Sequence, residues 1–183
     1  DHDGRQQEVY QDLDASSVPI EPLRKSNGEL LTVPIPIADK ILEAEIWRAQ
    51  VGRCQLLLLN LCEHQNDPDT TRVFRLYGGD KSTRLTQELA LGLGGYRALR
   101  VLGIRPGVLH MNEGHCAFAT LEAVADRMER TGLSFREAAD DVAESSVFTT
   151  HTPVAAGHDY FEPALALHYL RPLQARLGLS DHE

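Results

Sequence analysis

The sequence predicts an α/β fold with a parallel sheet. Apolar residues recur at the helical period from Leu85 to Leu99 and again from Ala117 to Met128. Two short apolar runs, Val108 to Met111 and Val147 to Thr150, are typical of strands and lie on either side of helical segments. The order strand, helix, helix, strand is the crossover that connects parallel strands. A chain of 183 residues is long enough for one domain with its own core.

The first part of the chain predicts strands. Residues 1–30 are expected to form a polar lead-in segment, and we assign 31–183 to the domain itself. Leu31 to Ile37 alternates apolar residues with Thr and Pro, which favours an edge strand because proline cannot donate to a sheet ladder. Ile41 to Val51 has the period of a strand, although a helix also fits. Leu56 to Leu59 is apolar throughout, as in strands buried on both faces of a sheet.

Helix signals dominate the second part. Asp80 or Ser82 is the expected N-cap of the first helix. Three glycines within this helix cost about 1 kcal/mol each relative to alanine. We expect them to permit close packing, and they are Gly92, Gly94 and Gly95. Ser134 and Glu137 form the pattern of a capping box, and a last helix is expected from about Pro163 to Leu177.

The composition argues against nucleic-acid and membrane partners. The net charge of −9 disfavours contact with phosphate backbones, which depends on lysine and arginine. The apolar run from Leu56 to Leu61 is far shorter than the roughly 20 residues of a membrane helix. The amino end lacks the pattern of a signal peptide. Cys54, Cys62 and Cys116 have no metal-ligand spacing, which favours reduced thiols and a cytoplasmic location.

Polar clusters follow both strands of the predicted crossover. The sequence Asn-Glu-Gly-His at 112–115 follows the first strand, and His-Thr-Pro at 151–153 follows the second. Ligands of open parallel sheets bind beyond the carboxyl ends of the strands. If the two strands are neighbours, both clusters face one crevice. We therefore predict a ligand site that contains His151, Asn112 and Glu113.

Other chemistries are weakly supported. Five residues near the strand ends are of metal-ligand type: His110, Glu113, His115, His151 and His158. No ligand pair on one helix face and no CxxC motif accompanies them, so we predict no metal site. Cys116 beside His115 could be a nucleophile, although a small packed hydrophobe is its more ordinary role. His110 is expected to be a sheet histidine bonded to a neighbour, and Lys81 a solvated surface lysine.

Two long motifs resemble a known family. RLYGGDKSTRLTQELALGLGGYRALRVLGIRPGVLHMNEGHCAF at 75–118 and VFTTHTPVAAGHDYF at 147–161 resemble the α-glucan (glycogen or maltodextrin) phosphorylases in their bacterial form. The resemblance continues through EIWRAQVGRCQLLLLN at 45–60 and covers about Leu31 to Leu179. It implies a Rossmann-like parallel-sheet domain, as an incomplete internal fragment of the N-terminal half of a two-domain GT-B glycosyltransferase.

The resemblance also implies an activity. The family transfers the terminal α-1,4-linked glucosyl unit of glycogen, starch or maltodextrin to inorganic phosphate, which gives glucose 1-phosphate. Its members hold pyridoxal phosphate through a lysine in the second domain, and the cofactor's phosphate group is the acid/base partner of the substrate phosphate. No segment here resembles that domain, so the cofactor lysine is expected outside this chain. The partners implied are α-1,4-glucan and inorganic phosphate, and the isolated fragment is expected to be inactive.

Family roles carry over by matching position. His151 matches the catalytic-site histidine, whose side chain would contact the sugar 6-hydroxyl while its carbonyl faces the cationic transition state. Thr152 follows it in the same substrate-binding loop. Asn112, Glu113 and His115 match a segment that is Asn-Asp-Thr-His in distant members, and they would support the loop and contact the sugar cleft.

The resemblance assigns two further substrate-binding residues, and the sequence departs from the family pattern at a few positions. Asp80 and Arg84 align with a gating loop and the helix after it, where Arg84 could meet an incoming phosphate. Asn60-Leu61 stands where Asp-Thr or Asp-Ser is expected, Cys116 replaces alanine or serine, and His158 occupies a variable loop position. A nucleotide-sugar-dependent glucan synthase of the same fold and a non-catalytic glucan-binding remnant remain alternatives.

Overall fold

The structure is a computed structural model that describes residues 17–61, 80–151 and 158–180. Its strands are β1 (Glu21–Pro22), β2 (Thr32–Ile37), β3 (Lys40–Val51), β4 (Cys54–Asn60), β5 (Leu109–Asn112) and β6 (Ser146–Thr149). Its α-helices are α1 (Lys81–Leu89), α2 (Gly95–Val101), α3 (Ala119–Thr131), α4 (Phe135–Glu144) and α5 (Pro163–Leu177). The predicted α/β class with a parallel sheet is confirmed. No helix within these ranges has both the length and the apolar character to cross a membrane.

The larger sheet is antiparallel and is centred on β3. β2 pairs with the first half of β3, from Thr32↔Glu45 to Ile37↔Lys40. β4 pairs with the second half and follows it through a tight turn at Gly52. β1 lies within the predicted lead-in segment and adds a short pairing to β3. Among the described residues β2 pairs with β3 alone, so the predicted edge strand is confirmed, and Ile41 to Val51 is a strand and not a helix.

The predicted burial of Leu56 to Leu59 on both faces of a sheet was wrong. Leu56 is 49% exposed, and the next three leucines are half-buried. Of these, Leu57 and Leu59 pack against the core. β4 is the antiparallel hairpin partner of β3, and successive side chains of such a strand point to opposite faces. An apolar run therefore marks a strand here without requiring a covering layer on each face.

One face of the antiparallel sheet packs on the helices. Alternate residues of β2 and β3 are buried, namely Val33, Ile35, Ile37, Leu42, Ala44 and Ile46. The helices contribute fully buried leucines to the same cluster, among them Leu85, Leu89 and Leu93. Burial of each large aliphatic side chain stabilises the fold by about 1.5–3 kcal/mol. This cluster fixes α1 against the sheet.

A π-helical turn, Ala90–Gly94, joins α1 to α2 and explains two of the three glycines. A methyl group added at Gly94 would lie 2.5 Å from Cδ1 of Ile35, and one added at Gly92 would lie 2.8 Å from the backbone nitrogen of Ala119. Close packing is therefore confirmed for these two positions. It was wrong for Gly95, where an added methyl group would meet nothing within 4 Å.

β5 and β6 form the predicted parallel pair, in the register Leu109↔Ser146 to Asn112↔Thr149. Each strand lies within one residue of its predicted bounds. Between them, α3 and α4 pack on one another, and α4 begins with the predicted capping box, in which the backbone nitrogen of Ser134 donates to Glu137 at 2.9 Å. The last helix, α5, begins and ends at the predicted residues.

A buried carboxylate ties α5 to the rest of the helical layer. Glu122 of α3 is 4% exposed and accepts hydrogen bonds from Nε of Arg97 at 2.9 Å and from Nη1 of Arg176 at 2.8 Å. Arg97 lies in α2 and Arg176 near the end of α5. Because a buried charge is tolerated only when it is paired, this group fixes α5 relative to α2 and α3. The position of α5 relative to α2 and α3 is therefore fixed by these ion pairs.

Candidate functional site

The two parallel strands end side by side, which brings the polar clusters together. Asn112, the last residue of β5, is opposite Thr149, the last residue of β6. The backbone nitrogen of Glu113 continues the ladder by donating to the carbonyl of Thr149 at 2.9 Å. Glu113 and His151 therefore leave the sheet at the same edge, as the sequence predicts.

Glu113 is buried in a strained backbone conformation. Its side chain is nearly inaccessible, and its φ of 59° and ψ of −172° fall in a region that is essentially restricted to glycine. The neighbouring Gly114 carries no such dihedral. The carboxylate accepts hydrogen bonds from the backbone nitrogen of His151 and, at 3.2 Å, from the Thr150 hydroxyl. These bonds fix the chain where it turns away from β6, while the ladder bond of the Glu113 backbone nitrogen holds its own conformation.

The His151 imidazole lies open to solvent above this anchor. Its side chain is 61% exposed, and Nδ1 lies 3.5 Å from Oε1 of Glu113. A ring nitrogen that faces a carboxylate carries the hydrogen in the neutral imidazole, which leaves Nε2 with a free lone pair. The arrangement therefore presents a hydrogen-bond acceptor outward. Asn112 is exposed beside it, whereas Thr152 lies outside the described residues.

A second polar cluster includes His115, which lies two residues after Glu113. It joins α1, the 3₁₀ turn Gly114–Cys116 and the segment before α5. Nη2 of Arg84 donates to Asp159 at 2.9 Å and lies 3.4 Å from Nδ1 of His115. Glu88 lies on the same side of α1, with Oε1 3.9 Å from both Arg84 Nη2 and His115 Nδ1. The cluster therefore connects three segments of chain, one of which begins directly after Glu113.

The pKa values of the two carboxyl groups of this cluster, Glu88 and Asp159, are shifted in opposite directions. Burial raises the pKa of Glu88 to about 7, and the hydrogen bond and charge of Asp159 add to this effect, while Arg84 opposes it. Partial burial works against ionisation of Asp159, but its hydrogen bonds with Arg84 and Glu88 dominate and lower its pKa. In weakly acidic solution, the pair therefore consists of an ionised Asp159 and a protonated Glu88.

Glu88 and Asp159 were not among the residues selected from the sequence. A signal for Glu88 existed, because it precedes the buried Leu89 and a buried glutamate within an apolar helix face requires a partner. Asp159 had no such signal. Carboxylate oxygens of both residues and a ring nitrogen of His115 lie within 4.8 Å of one another. The Arg84 guanidinium already supplies positive charge there, so this group does not require a metal ion.

The remaining predicted residues have defined surroundings. Asp80 is the N-cap of α1, and its carboxylate accepts hydrogen bonds from the Thr83 backbone nitrogen at 2.9 Å and the Ser82 hydroxyl at 2.8 Å. The backbone bond from Thr83 is the main reason that the pKa of Asp80 is lowered. His110 Nε2 lies 2.6 Å from the Thr149 hydroxyl, as expected for a sheet histidine bonded to a neighbour. Lys81 is exposed.

Comparison with known proteins identifies relatives of this segment. The chain is 45% identical over 162 residues to a maltodextrin phosphorylase of Thermococcus litoralis, which covers 88% of this chain and 19% of that protein. It is 42% identical over 175 residues to a glycogen phosphorylase of Mycobacterium tuberculosis, which covers 92% of this chain and 20% of that protein. The chain thus spans about one fifth of the length of these curated relatives.

No family model matches the chain. Among solved structures, the catalytic domain of starch synthase IV from Arabidopsis thaliana, bound to ADP and acarbose, is similar to this fold with a TM-score of 0.44. The two share 15% sequence identity, and the match covers 73% of this chain and 23% of that one.

Proposed function

Because the chain is homologous to a one-fifth segment of the glycogen and maltodextrin phosphorylases, we propose that it is part of such an enzyme. The reaction is transfer of the terminal α-1,4-linked glucosyl unit of a glucan to inorganic phosphate, with glucose 1-phosphate as the product. This segment supplies one wall of the sugar cleft. The observation that carries the proposal is the anchoring of His151 by the buried carboxylate of Glu113 at the open edge of the parallel sheet.

His151 has two groups that suit glucosyl transfer. The exposed imidazole presents Nε2 as an acceptor for a sugar hydroxyl, and we assign this contact to the 6-hydroxyl. The backbone carbonyl of the same residue supplies a fixed negative dipole for an oxocarbenium-like transition state. Both depend on the course of the backbone, which Glu113 fixes by accepting the His151 amide hydrogen. Prior orientation of these dipoles lowers the barrier because no reorganisation is needed during the reaction.

The other predicted substrate contacts differ in how available they are. Asn112 is exposed next to the His151 anchor and is free to bind sugar hydroxyls. We keep Thr152 as a proposed substrate contact in the same loop. Glu113 contributes by holding His151, since its carboxylate is buried and bonded within the protein. The Asp80 carboxylate caps α1 through Oδ1, which accepts the hydrogen bond of the Thr83 backbone nitrogen. A substrate contact of Asp80 would therefore use its other carboxylate oxygen or its backbone.

Arg84 would meet phosphate only after exchanging a partner. Its guanidinium donates to Asp159 at 2.9 Å and to Gln87 at 3.0 Å. A phosphate dianion that approaches this arginine competes with the Asp159 carboxylate, because both bind the same donors. His115, in contact with the same guanidinium, lies at the border of the proposed phosphate approach.

The described residues do not fit the pyridoxal phosphate that the family uses. Lys25, Lys40 and Lys81 are all exposed, and none lies in a buried cradle that would hold a cofactor ring. We therefore place the cofactor lysine in another part of the complete protein and derive no step through the cofactor here. Cys54 and Cys116 are free thiols, which suits the cytoplasmic location that we propose.

The activity is tested on the full-length protein. We expect glucose 1-phosphate to form from maltodextrin only when inorganic phosphate is present. In a parallel reaction, the same protein receives ADP-glucose and maltodextrin without phosphate, and we expect no chain elongation. Elongation from ADP-glucose without phosphorolysis would contradict the proposal and favour a glucan synthase, and binding of glucan without either reaction would favour a non-catalytic remnant.

A further inference from the structure

The segment before α5 is held to α1 by the 2.9 Å hydrogen bond from Arg84 to Asp159, and Glu88 and His115 lie in the same cluster. We propose that Glu88 is a positioning residue whose neutral carboxyl group donates a hydrogen bond to Asp159 and thereby holds residues 158–162 against the site. This role is distinct from the sugar contacts of His151. The kinetic part of the test rests on the proposed function, whereas the structural part does not.

The first support is the position of Glu88 in the fold. It lies in α1 and is 6% exposed, and its Oε1 is 3.9 Å from Nδ1 of His115 in the 3₁₀ turn. That turn begins directly after Glu113, the anchor of His151. A displacement of His115 would therefore reach Glu113, two residues before it, and through the hydrogen bond of Glu113 the backbone of His151. Glu88 is suited to set the geometry of the site without touching the substrate.

The second support is the charge balance of the cluster. Four titratable or charged groups face one another: Arg84, Glu88, His115 and Asp159. Arg84 makes its short contact, 2.9 Å, with Asp159, and only a 3.9 Å approach to Glu88. The Arg84 guanidinium thus compensates the negative charge of Asp159 well and would compensate a negative charge on Glu88 poorly. A buried second carboxylate is best accommodated as the neutral acid, which can donate a hydrogen bond to the first.

The third support is the direction of the two pKa shifts, from which a pH window follows. The pKa of Glu88 is raised to about 7, so its hydrogen bond to Asp159 is lost as the pH rises to and through this value. The lowered pKa of Asp159 means that its contribution is lost only as the pH falls below the usual range of an aspartate. This contact, the Glu88–Asp159 clamp, is therefore complete at about pH 4.5, the ordinary pKa of a glutamate, weakens as the pH rises from there to about 7, and changes no further above pH 7.

Hydrogen exchange detected by mass spectrometry on the full-length protein tests the clamp directly. In peptides that cover 158–162, we expect protection, corrected for intrinsic exchange, to fall by up to about tenfold per pH unit between about pH 4.5 and pH 7 and to level off above pH 7. Glu88→Gln should abolish this pH-dependent step and keep the protection, because its amide donates at every pH. Glu88→Ala should lose the protection throughout. Glu144→Gln, at an exposed position in α4, is the matched control and should behave as the parent protein.

A second variant separates the role of Glu88 from that of His115 in the same cluster. His115→Gln should keep the pH-dependent step of exchange, because Glu88 is unchanged. Persistence of the step in Glu88→Gln, or its loss in His115→Gln, would overturn the proposal. In the active enzyme, Glu88→Gln should also shift the alkaline limb of the kcat/KM profile upward. Absence of all phosphorolysis would refute the proposed function, while the exchange data would still decide the role of Glu88.

Discussion

Substitution of Glu113 separates the strain that the structure stores from the bonds that position His151. Glu113 adopts a φ of 59° and a ψ of −172°, which costs a residue other than glycine about 1–3 kcal/mol. Its carboxylate accepts the His151 amide and the Thr150 hydroxyl. Glu113→Ala removes these bonds and keeps the strain. Glu113→Gly removes the same bonds and relieves the strain.

The expected magnitudes follow from these two contributions. Loss of the acceptor leaves the His151 amide without its partner, at a cost of about 1–3 kcal/mol. Relief of strain offsets a similar amount in Glu113→Gly, so we expect this variant to be about 1–3 kcal/mol more stable than Glu113→Ala. Both variants lose the anchor of His151, and we expect kcat/KM to fall by about 10–100-fold in each. Glu113→Gln keeps one acceptor oxygen and should lose less than about tenfold.

The assay combines scanning calorimetry with steady-state phosphorolysis on the full-length protein. We expect stability and activity to separate, with the glycine variant more stable than the alanine variant and both comparably slow. Equal stability of these two variants would show that the backbone at Glu113 is not strained. Parent-like kcat/KM in either of them would show that Glu113 does not position His151.

Two further predictions concern packing and the cofactor. Gly92→Ala should destabilise the protein by about 2 kcal/mol, because its added methyl group meets the backbone of Ala119 at 2.8 Å, whereas Gly95→Ala should be neutral or stabilise by up to about 1 kcal/mol. Unfolding midpoints of the two variants test this, and equal destabilisation would contradict the packing at the π-helical turn. The isolated 183-residue chain should retain no pyridoxal phosphate after borohydride reduction, since Lys25, Lys40 and Lys81 are exposed. Stoichiometric trapping of the cofactor on one of these lysines would show that the cofactor site lies in this chain.

Local signals predicted much of the fold. The Asp80 N-cap, the Ser134–Glu137 capping box and the bounds of α5 follow from interactions within a few residues, so the sequence pattern contains them directly. The parallel pairing of β5 and β6 follows from the order of elements, because a crossover of two helices returns the chain in the same direction. For the same reason, the meeting of Glu113 and His151 could be predicted.

What the sequence could not supply depends on tertiary structure. Glu88 and Asp159 are 71 positions apart in the numbering, and only the packed chain brings their carboxyl groups together. The pattern of β4 was misjudged because an apolar run does not state whether both faces of a strand are covered. The strained dihedral falls on Glu113 and not on the adjacent Gly114, which no propensity would select. Here the strand ladder, which continues through the backbone nitrogen of Glu113, outweighs the local preference of the backbone.

The contact between His151 and the sugar 6-hydroxyl is tested by a double-mutant cycle on the full-length enzyme. Parent protein and His151→Ala are compared on a normal glucan and on one with a 6-deoxy glucosyl end, with His168→Ala as the control at an exposed histidine of α5. We expect His151→Ala to lower kcat/KM by about 10²-fold on the normal glucan and much less on the 6-deoxy substrate, while cofactor content and the control stay unchanged. Equal losses on the two substrates would show that His151 does not bind this hydroxyl and would contradict the central claim.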